Sequence, residues 1–165
     1  MQITDVVDID IVIRLLASLA VGGLIGLERS YHGRPAGFRT HSLVCLSTSL
    51  LMLVTVYETR WFPGTAPGHI SLDPTRMAQG IMTGIGFLGA GAIIRRDGDI
   101  HGLTTAATIW VNAAVGVAAG GGEFHLALIA TAVTLIVLLM LHPLESIIDR
   151  RFGAGKPRRE EPRPQ

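Results

Sequence analysis

Long apolar runs alternate with short polar breaks along this chain. Five apolar segments stand out, at about Ile9–Leu27, Leu43–Tyr57, Met77–Ile94, Thr104–Gly120 and Phe124–Leu141. A helix that crosses bilayer hydrocarbon needs about 20 mostly apolar residues, with roughly 17 as the lower limit. The second segment reaches that length only if Thr40–Ser42 and Glu58 join it. The pattern predicts an all-α, polytopic membrane protein with five transmembrane helices. Residues 1–142 then make one membrane domain. In the run LESIIDRRF, Leu144, Ile147, Ile148 and Phe152 fall at helical spacing, so 143–152 reads as an amphipathic segment along the membrane surface. The stretch 153–165 is rich in proline and charge, the composition of a disordered tail.

The polar breaks orient the chain. Cytoplasmic connections hold the excess of Lys and Arg. Counted by alternate sides, the connections hold eleven against two, and Arg14 lies inside the first span. This places the N-terminus outside and the C-terminus in the cytoplasm, with Trp61 and Phe62 in an outer interfacial belt. Asp5, Asp8 and Asp10 stand where a signal peptide would carry basic residues, so the first segment is expected to be retained as a span. Asp10 and Arg14 are one turn apart and can pair at the interface, with Arg14 snorkelling towards headgroups.

Composition agrees with this reading. Charged residues make up 16% of the chain, hydrophobic residues 48%, and mean hydropathy is +0.45, against about 25% charged in soluble domains. The net charge of +1 gives no footprint for nucleic acid. Cys45 is the single cysteine, which excludes an intrachain disulfide and a cysteine-based zinc cluster and suggests a buried thiol.

Two of the polar breaks resemble each other. On an offset of 65 residues Gly26, Gly33, Gly37 and Thr40 fall on Gly91, Gly98, Gly102 and Thr105. The match is consistent with two parallel helical-hairpin repeats plus a fifth helix, and with chance in a glycine-rich chain. The first break is a dense knot containing Glu28, Arg29, Arg34 and Arg39.

Candidate chemistry is sparse. GIGFLG at Gly84–Gly89 matches a dinucleotide fingerprint, but no strand precedes it and it lies inside a span, so that reading fails. His32, His41 and His101 lack metal-ligand spacing and read as solvated loop residues. Gly80, Gly84 and Gly91 share one face of the third span, and Gly86 and Gly89 form a neighbouring stripe. Gly22 with Gly26, and Gly116 with Gly120, repeat the four-residue spacing. These glycines are expected to pack helices, because close backbone approach supplies contact energy where lipid supplies no hydrophobic force. The alternative is a third span locally unwound around an ion or ligand. Glu28, at the end of the first span, is either one member of a Glu–Arg network that pins the loop or a cation or regulatory site. Asp73 begins DPTR and reads as a helix N-cap before a first-turn proline; a hydrated Mg²⁺ is the other reading. Asn112 sits mid-span and is expected to hydrogen-bond across helices. No nucleophile–base pair is recognisable, so an enzyme is not expected.

The blocks GGLIGLERSYHGRPAGFRTHSLVCLSTSLLMLV and DPTRMAQGIMTGIGFLGAGAIIRRDGDIHGLTTAATIWVNAAVG, in that order, resemble the MgtC/SapB family of bacterial inner-membrane proteins. The resemblance spans about residues 10–141. It implies a five-span helical domain and a role in adaptation to low magnesium. It also implies regulation of membrane potential and of other machinery, such as ATP synthase or cation-transporting ATPases. By motif it makes Glu28, Arg34, Arg39, Thr40, Asp73, Arg76, Gly84, Gly86, Gly89, Gly91, Thr104 and Thr105 the functional positions. Some members continue into a soluble ACT-like domain where this chain carries a short charged tail, so functions of that domain are not expected here. Two functions follow. One is a regulator acting by helix contact with a membrane ATPase or transporter, or self-associating as a homo-oligomer. The other is a cation or small-solute transporter or channel, with Mg²⁺ as first candidate and a pathway between Glu28 and Asp73. No cofactor is expected beyond Mg²⁺.

Overall fold

The computed structural model describes residues 9–57, 73–96 and 98–152. The expectations for the N-terminal aspartates Asp5 and Asp8, for Arg60, Trp61 and Phe62, and for the tail after Phe152 lie outside them. Among the described residues five helices are present: α1 (Ile9–Tyr31), α2 (Phe38–Val56), α3 (Pro74–Gly91), α4 (Leu103–Gly121) and α5 (Phe124–Phe152). Of these, α1, α2 and α4 are long and apolar enough to cross a membrane, and the apolar part of α5 runs from Phe124 to Met140. The chain is an all-α membrane protein. Helix α5 continues through Pro143, so the residues expected as a separate surface segment prolong the fifth helix.

α4 is the hub, packing against each of the other described helices. Its composition explains why. Ala113, Gly116, Ala119 and Gly120 are buried at helical spacing, leaving its backbone within reach of its neighbours. A Cβ on Gly116 would lie 2.0 Å from Thr48 Oγ1 and 2.4 Å from the Cys45 carbonyl oxygen; one on Gly120 would lie 2.5 Å from the Ser49 carbonyl oxygen. α1 approaches α2 in the same way. A Cβ on Gly22 would lie 2.4 Å from Cys45 Cβ, and one on Gly26 would lie 2.7 Å from Phe38 Cα. Cys45 is therefore clamped between two glycines on different helices and has no exposed surface.

α3 behaves differently. Ile81, Ile85 and Gly89 form its buried stripe, and the isoleucines pack with Ile109 and Ala113 of α4. A Cβ on Gly89 would make ordinary contact with Ala106, whereas on Gly80, Gly84, Gly86 or Gly91 it would meet nothing within 4 Å. Among the described residues, nothing packs against those four glycines. Their face is open, beside Phe87 at 82% exposure. The helix is continuous from Pro74 to Gly91, with no unwound segment.

The two polar breaks fold unlike one another. Between α1 and α2 the chain turns tightly through Gly33 (φ +61°) and Ala36 (φ +54°). There the Phe38 amide, one of the orphan donors at the start of α2, donates to Ser30 Oγ at 2.8 Å. Between α3 and α4 lies a small antiparallel hairpin, β1 (Ile94–Arg96) and β2 (Asp99–His101), which the periodicity does not predict. Asp97-Gly98 between the paired Arg96 and Asp99 is the sequence of a two-residue hairpin turn, and Gly98 has φ +86°. The repeat positions correspond nonetheless. Gly33 and Gly98 are both left-handed, Gly37 and Gly102 both precede the first helical residue, and Thr40 and Thr105 are both third in their helices. Only Thr105 is buried.

Gly116→Val should lower stability by about 1–3 kcal/mol through overpacking, whereas Gly84→Ala should not, since its added methyl meets open space. Thermal unfolding in detergent checks the pair. Cys45 should resist a maleimide in the native wild type and react once Gly116→Val separates α2 from α4.

Candidate functional site

At the end of α1, Gly22, Gly26 and Arg29 share one helix face, so the packing that buries the glycines also buries the arginine. Arg29 is 5% exposed. Its Nη2 donates to Thr105 Oγ1 of α4 at 2.9 Å, while its Nε is buried without a partner. The preceding residue, Glu28, has a side chain 9% exposed. Its Oε1 lies 3.0 Å from Nδ1 of His32, one turn on, and its Oε2 is buried without a partner. Buried polar groups left unpaired are costly, so the end of α1 holds two unspent hydrogen-bonding atoms, one donor and one acceptor.

Glu28 and Arg29 border a cleft of about 790 Å³, a size usual for small-ligand sites. Glu28, Arg29, His32, Arg34, His101, Thr104 and Thr105 line its polar side. Its other wall is apolar, made by Ile100 and Leu103 with Val137, Leu138 and Leu139 of α5. The hairpin forms one margin, fixed by Gly102: its φ is +88°, and a Cβ there would sit 2.0 Å from the Ala92 carbonyl oxygen. α4 starts at this margin without a side-chain cap.

The cleft thus unites Glu28, Arg34, Thr104 and Thr105 of the predicted positions. The first polar knot and its repeat counterpart form its two sides. The partner of Glu28 is His32 rather than the expected Arg34 or Arg39. Arg39 and Thr40 are exposed in the first turn of α2 and do not line it. Asp73 lies at the far end of α3, about 27 Å along the helix from Gly91, so it is not brought to Glu28. It is the N-cap of α3, accepting from the Thr75 hydroxyl at 2.7 Å and the Thr75 amide at 2.8 Å, with Arg76 Nε 3.9 Å away. The Thr75 hydroxyl and then its amide hold the Asp73 carboxyl below its usual range.

Asn112 bonds across helices: its Nδ2 donates to the His41 carbonyl oxygen of α2 at 2.7 Å. His41, expected in a solvated loop, is instead fully buried in the first turn of α2, because Gly26 brings α1 directly against it. His32 and His101 are exposed as expected. Among the described residues no three His, Cys, Asp or Glu side chains are grouped to hold a metal ion.

Arg29 was legible in the sequence only as a loop charge. Its position seven residues after Gly22 on the glycine face is the signal that it is buried. Arg14, at the opposite end, was expected to snorkel. It folds inward: Nε donates to Asp10 at 2.7 Å and Nη1 to the Gly120 carbonyl oxygen at 3.0 Å, so a cation closes the C-terminus of α4. Tyr57 donates to the same Asp10 carboxylate and lies under the Arg14 guanidinium.

A helical membrane bundle with a charged cleft at one end of its spans defines the class of protein. The chain belongs to the MgtC family, whose family model matches residues 15–147. It is 42% identical over 82% of its length to the protein of Escherichia coli (strain K12) named "Putative magnesium transporter YhiD". It is 39% identical over 87% of its length to protein MgtC of Brucella abortus, and 40% identical over 81% to protein SrpB of Synechococcus elongatus. The chain spans 62% of the length of YhiD, 57% of the Brucella protein and 76% of SrpB. No solved structure matches the chain.

Thr105→Val keeps shape but removes the acceptor of a charged donor, and should cost about 1.5–3 kcal/mol in detergent unfolding, more than Thr104→Val. Asp73 stabilises α3 above the ordinary carboxyl range, and that contribution disappears as pH falls through its depressed folded pKa. The wild type, compared with Asp73→Ala, should therefore lose its advantage only in strong acid.

Proposed function

We propose that this chain is a non-enzymatic regulator of ion homeostasis in the inner membrane, with its charged cleft on the cytoplasmic side. It acts by helix contact on a larger membrane ATPase or transporter under low magnesium. The observation that carries this reading is the contrast between its glycines. On α1 and α4 they are closed by α2. On α3, Gly80, Gly84, Gly86 and Gly91 face open space beside an exposed Phe87. In lipid such a surface is suited to a second helix, because small residues let backbones approach closely. The interior supports the same reading. Asn112, Thr48 and Ser49 are buried among tightly packed helices, and Glu28 and Asp73 lie at opposite ends.

The alternative, a cation transporter with Mg²⁺ as cargo, is favoured by the name of the E. coli relative and by the unpaired Glu28 oxygen. Proteoliposomes with dyes for Mg²⁺, K⁺ and H⁺ separate the two. The regulator reading expects no flux above empty vesicles, and photocrosslinking from position 87 to an ATPase or transporter subunit that Gly84→Leu abolishes. Flux that Glu28→Gln or Asp73→Asn removes would replace it with transport. Crosslinks only between copies of this chain would make the α3 face a homo-oligomer contact.

A further inference from the structure

The cleft at the end of α1 is lined by two buried charged side chains, each anchored through one atom and carrying a second buried atom without a partner. Glu28 is held by His32 through Oε1 and leaves Oε2 without a partner. Arg29 is held by Thr105 through Nη2 and leaves Nε without a partner. The two are adjacent in sequence and could have satisfied each other. The Thr105 bond draws the guanidinium towards α4 and the His32 contact draws the carboxylate along α1, so an acceptor and a donor remain for a third party. A ligand carrying one positive and one negative group would satisfy both.

The surroundings specify that ligand further. Beyond Arg29 the anionic half would meet Arg34, the Thr104 hydroxyl and the uncapped start of α4, whose first amides and dipole favour a phosphate. The cationic half would meet a single carboxylate oxygen in a cleft whose residues are not grouped as metal ligands. An N–H donor fits that oxygen better than a divalent ion, which takes about six oxygen ligands. The opposite wall, Val137, Leu138 and Leu139 of α5 with Leu103, is apolar. Depth agrees as well. Glu28 is about 27 Å along α1 from Asp10, close to the thickness of bilayer hydrocarbon, so the cleft opens at headgroup level with acyl chains alongside α5.

From this geometry we infer that the cleft binds a phosphate ester bearing a primary ammonium, with the ammonium on Glu28 and the phosphate on Arg29, Arg34 and the start of α4. Two sources share that chemistry, phosphatidylethanolamine of the bilayer and soluble phosphoethanolamine. The inference does not rest on the regulator reading, because it concerns a ligand of the cleft and not the partner of α3.

The test uses the full chain in nanodiscs of phosphatidylcholine doped with phosphatidylethanolamine or phosphatidylglycerol. Melting temperature and lipid retention by native mass spectrometry are read for each. Phosphatidylcholine has the phosphate but no ammonium N–H, and phosphatidylglycerol has the phosphate but no cation. Phosphatidylethanolamine is expected to raise the melting temperature and to be retained about tenfold or more over both. That preference is the size of one charged hydrogen bond. Glu28→Gln should erase the preference over phosphatidylglycerol. Arg34→Gln, at an exposed position, should weaken retention of phosphatidylethanolamine and phosphatidylglycerol alike. If soluble phosphoethanolamine reproduces the shift in pure phosphatidylcholine while the doped lipid does not, the same site takes the soluble ester. Equal response to all three lipids and none to phosphoethanolamine would overturn the inference. So would strongest retention of phosphatidylglycerol, or variants that respond as wild type does.

Discussion

Close backbone approach is the constraint on which this bundle depends. Lipid offers helices no hydrophobic reason to associate, so contact energy must come from packing at short range. Cys45 marks where that happens. Gly22 of α1 and Gly116 of α4 press on it from two sides, and neither could carry a Cβ without pushing a helix away. With α1, α2 and α4 fixed at that distance, polar atoms come within hydrogen-bonding range along the whole interface. Asn112 reaches the His41 carbonyl, Arg29 reaches Thr105, and Arg14 reaches Gly120 at the other end.

The charged cleft is a consequence of the same packing. Arg29 lies on the glycine face of α1, so it is buried by the approach that the glycines permit, and Glu28 follows it to the border of the bundle. Gly102, confined to a left-handed conformation against Ala92, then sets the hairpin and the start of α4 opposite. Helix ends and a glycine turn supply the polar side of the cleft, and α5 supplies the apolar side. The site and the core therefore share one cause.

α3 stands apart from this economy. It buries Ile81, Ile85 and Gly89 against α4 and leaves four glycines unopposed. A helix interior is destabilised by about 1 kcal/mol for each glycine relative to alanine, and among the described residues no contact offsets it there. That imbalance supports the proposal that another helix covers the face.

The sequence by itself determined the five helices, the Asp73 cap and the class of protein, because hydropathy and turn chemistry are local properties. It also identified Asn112 as a bond between helices, since a carboxamide inside a span must find a partner. Only the tertiary structure decided which glycines pack. GxxxG spacing states that a close approach is possible, and the partner that makes it actual lies elsewhere in the chain, as Cys45 does for Gly22 and Gly116. His41 and Arg29 were misplaced for the same reason: burial is conferred by a neighbouring helix, and neither residue carries a local mark of it. The hairpin escaped because three-residue exposed strands have no apolar alternation, although Asp97-Gly98 spelled its turn. The cleft needed all of these at once, two polar loops and one wall from α5, brought together by helix packing.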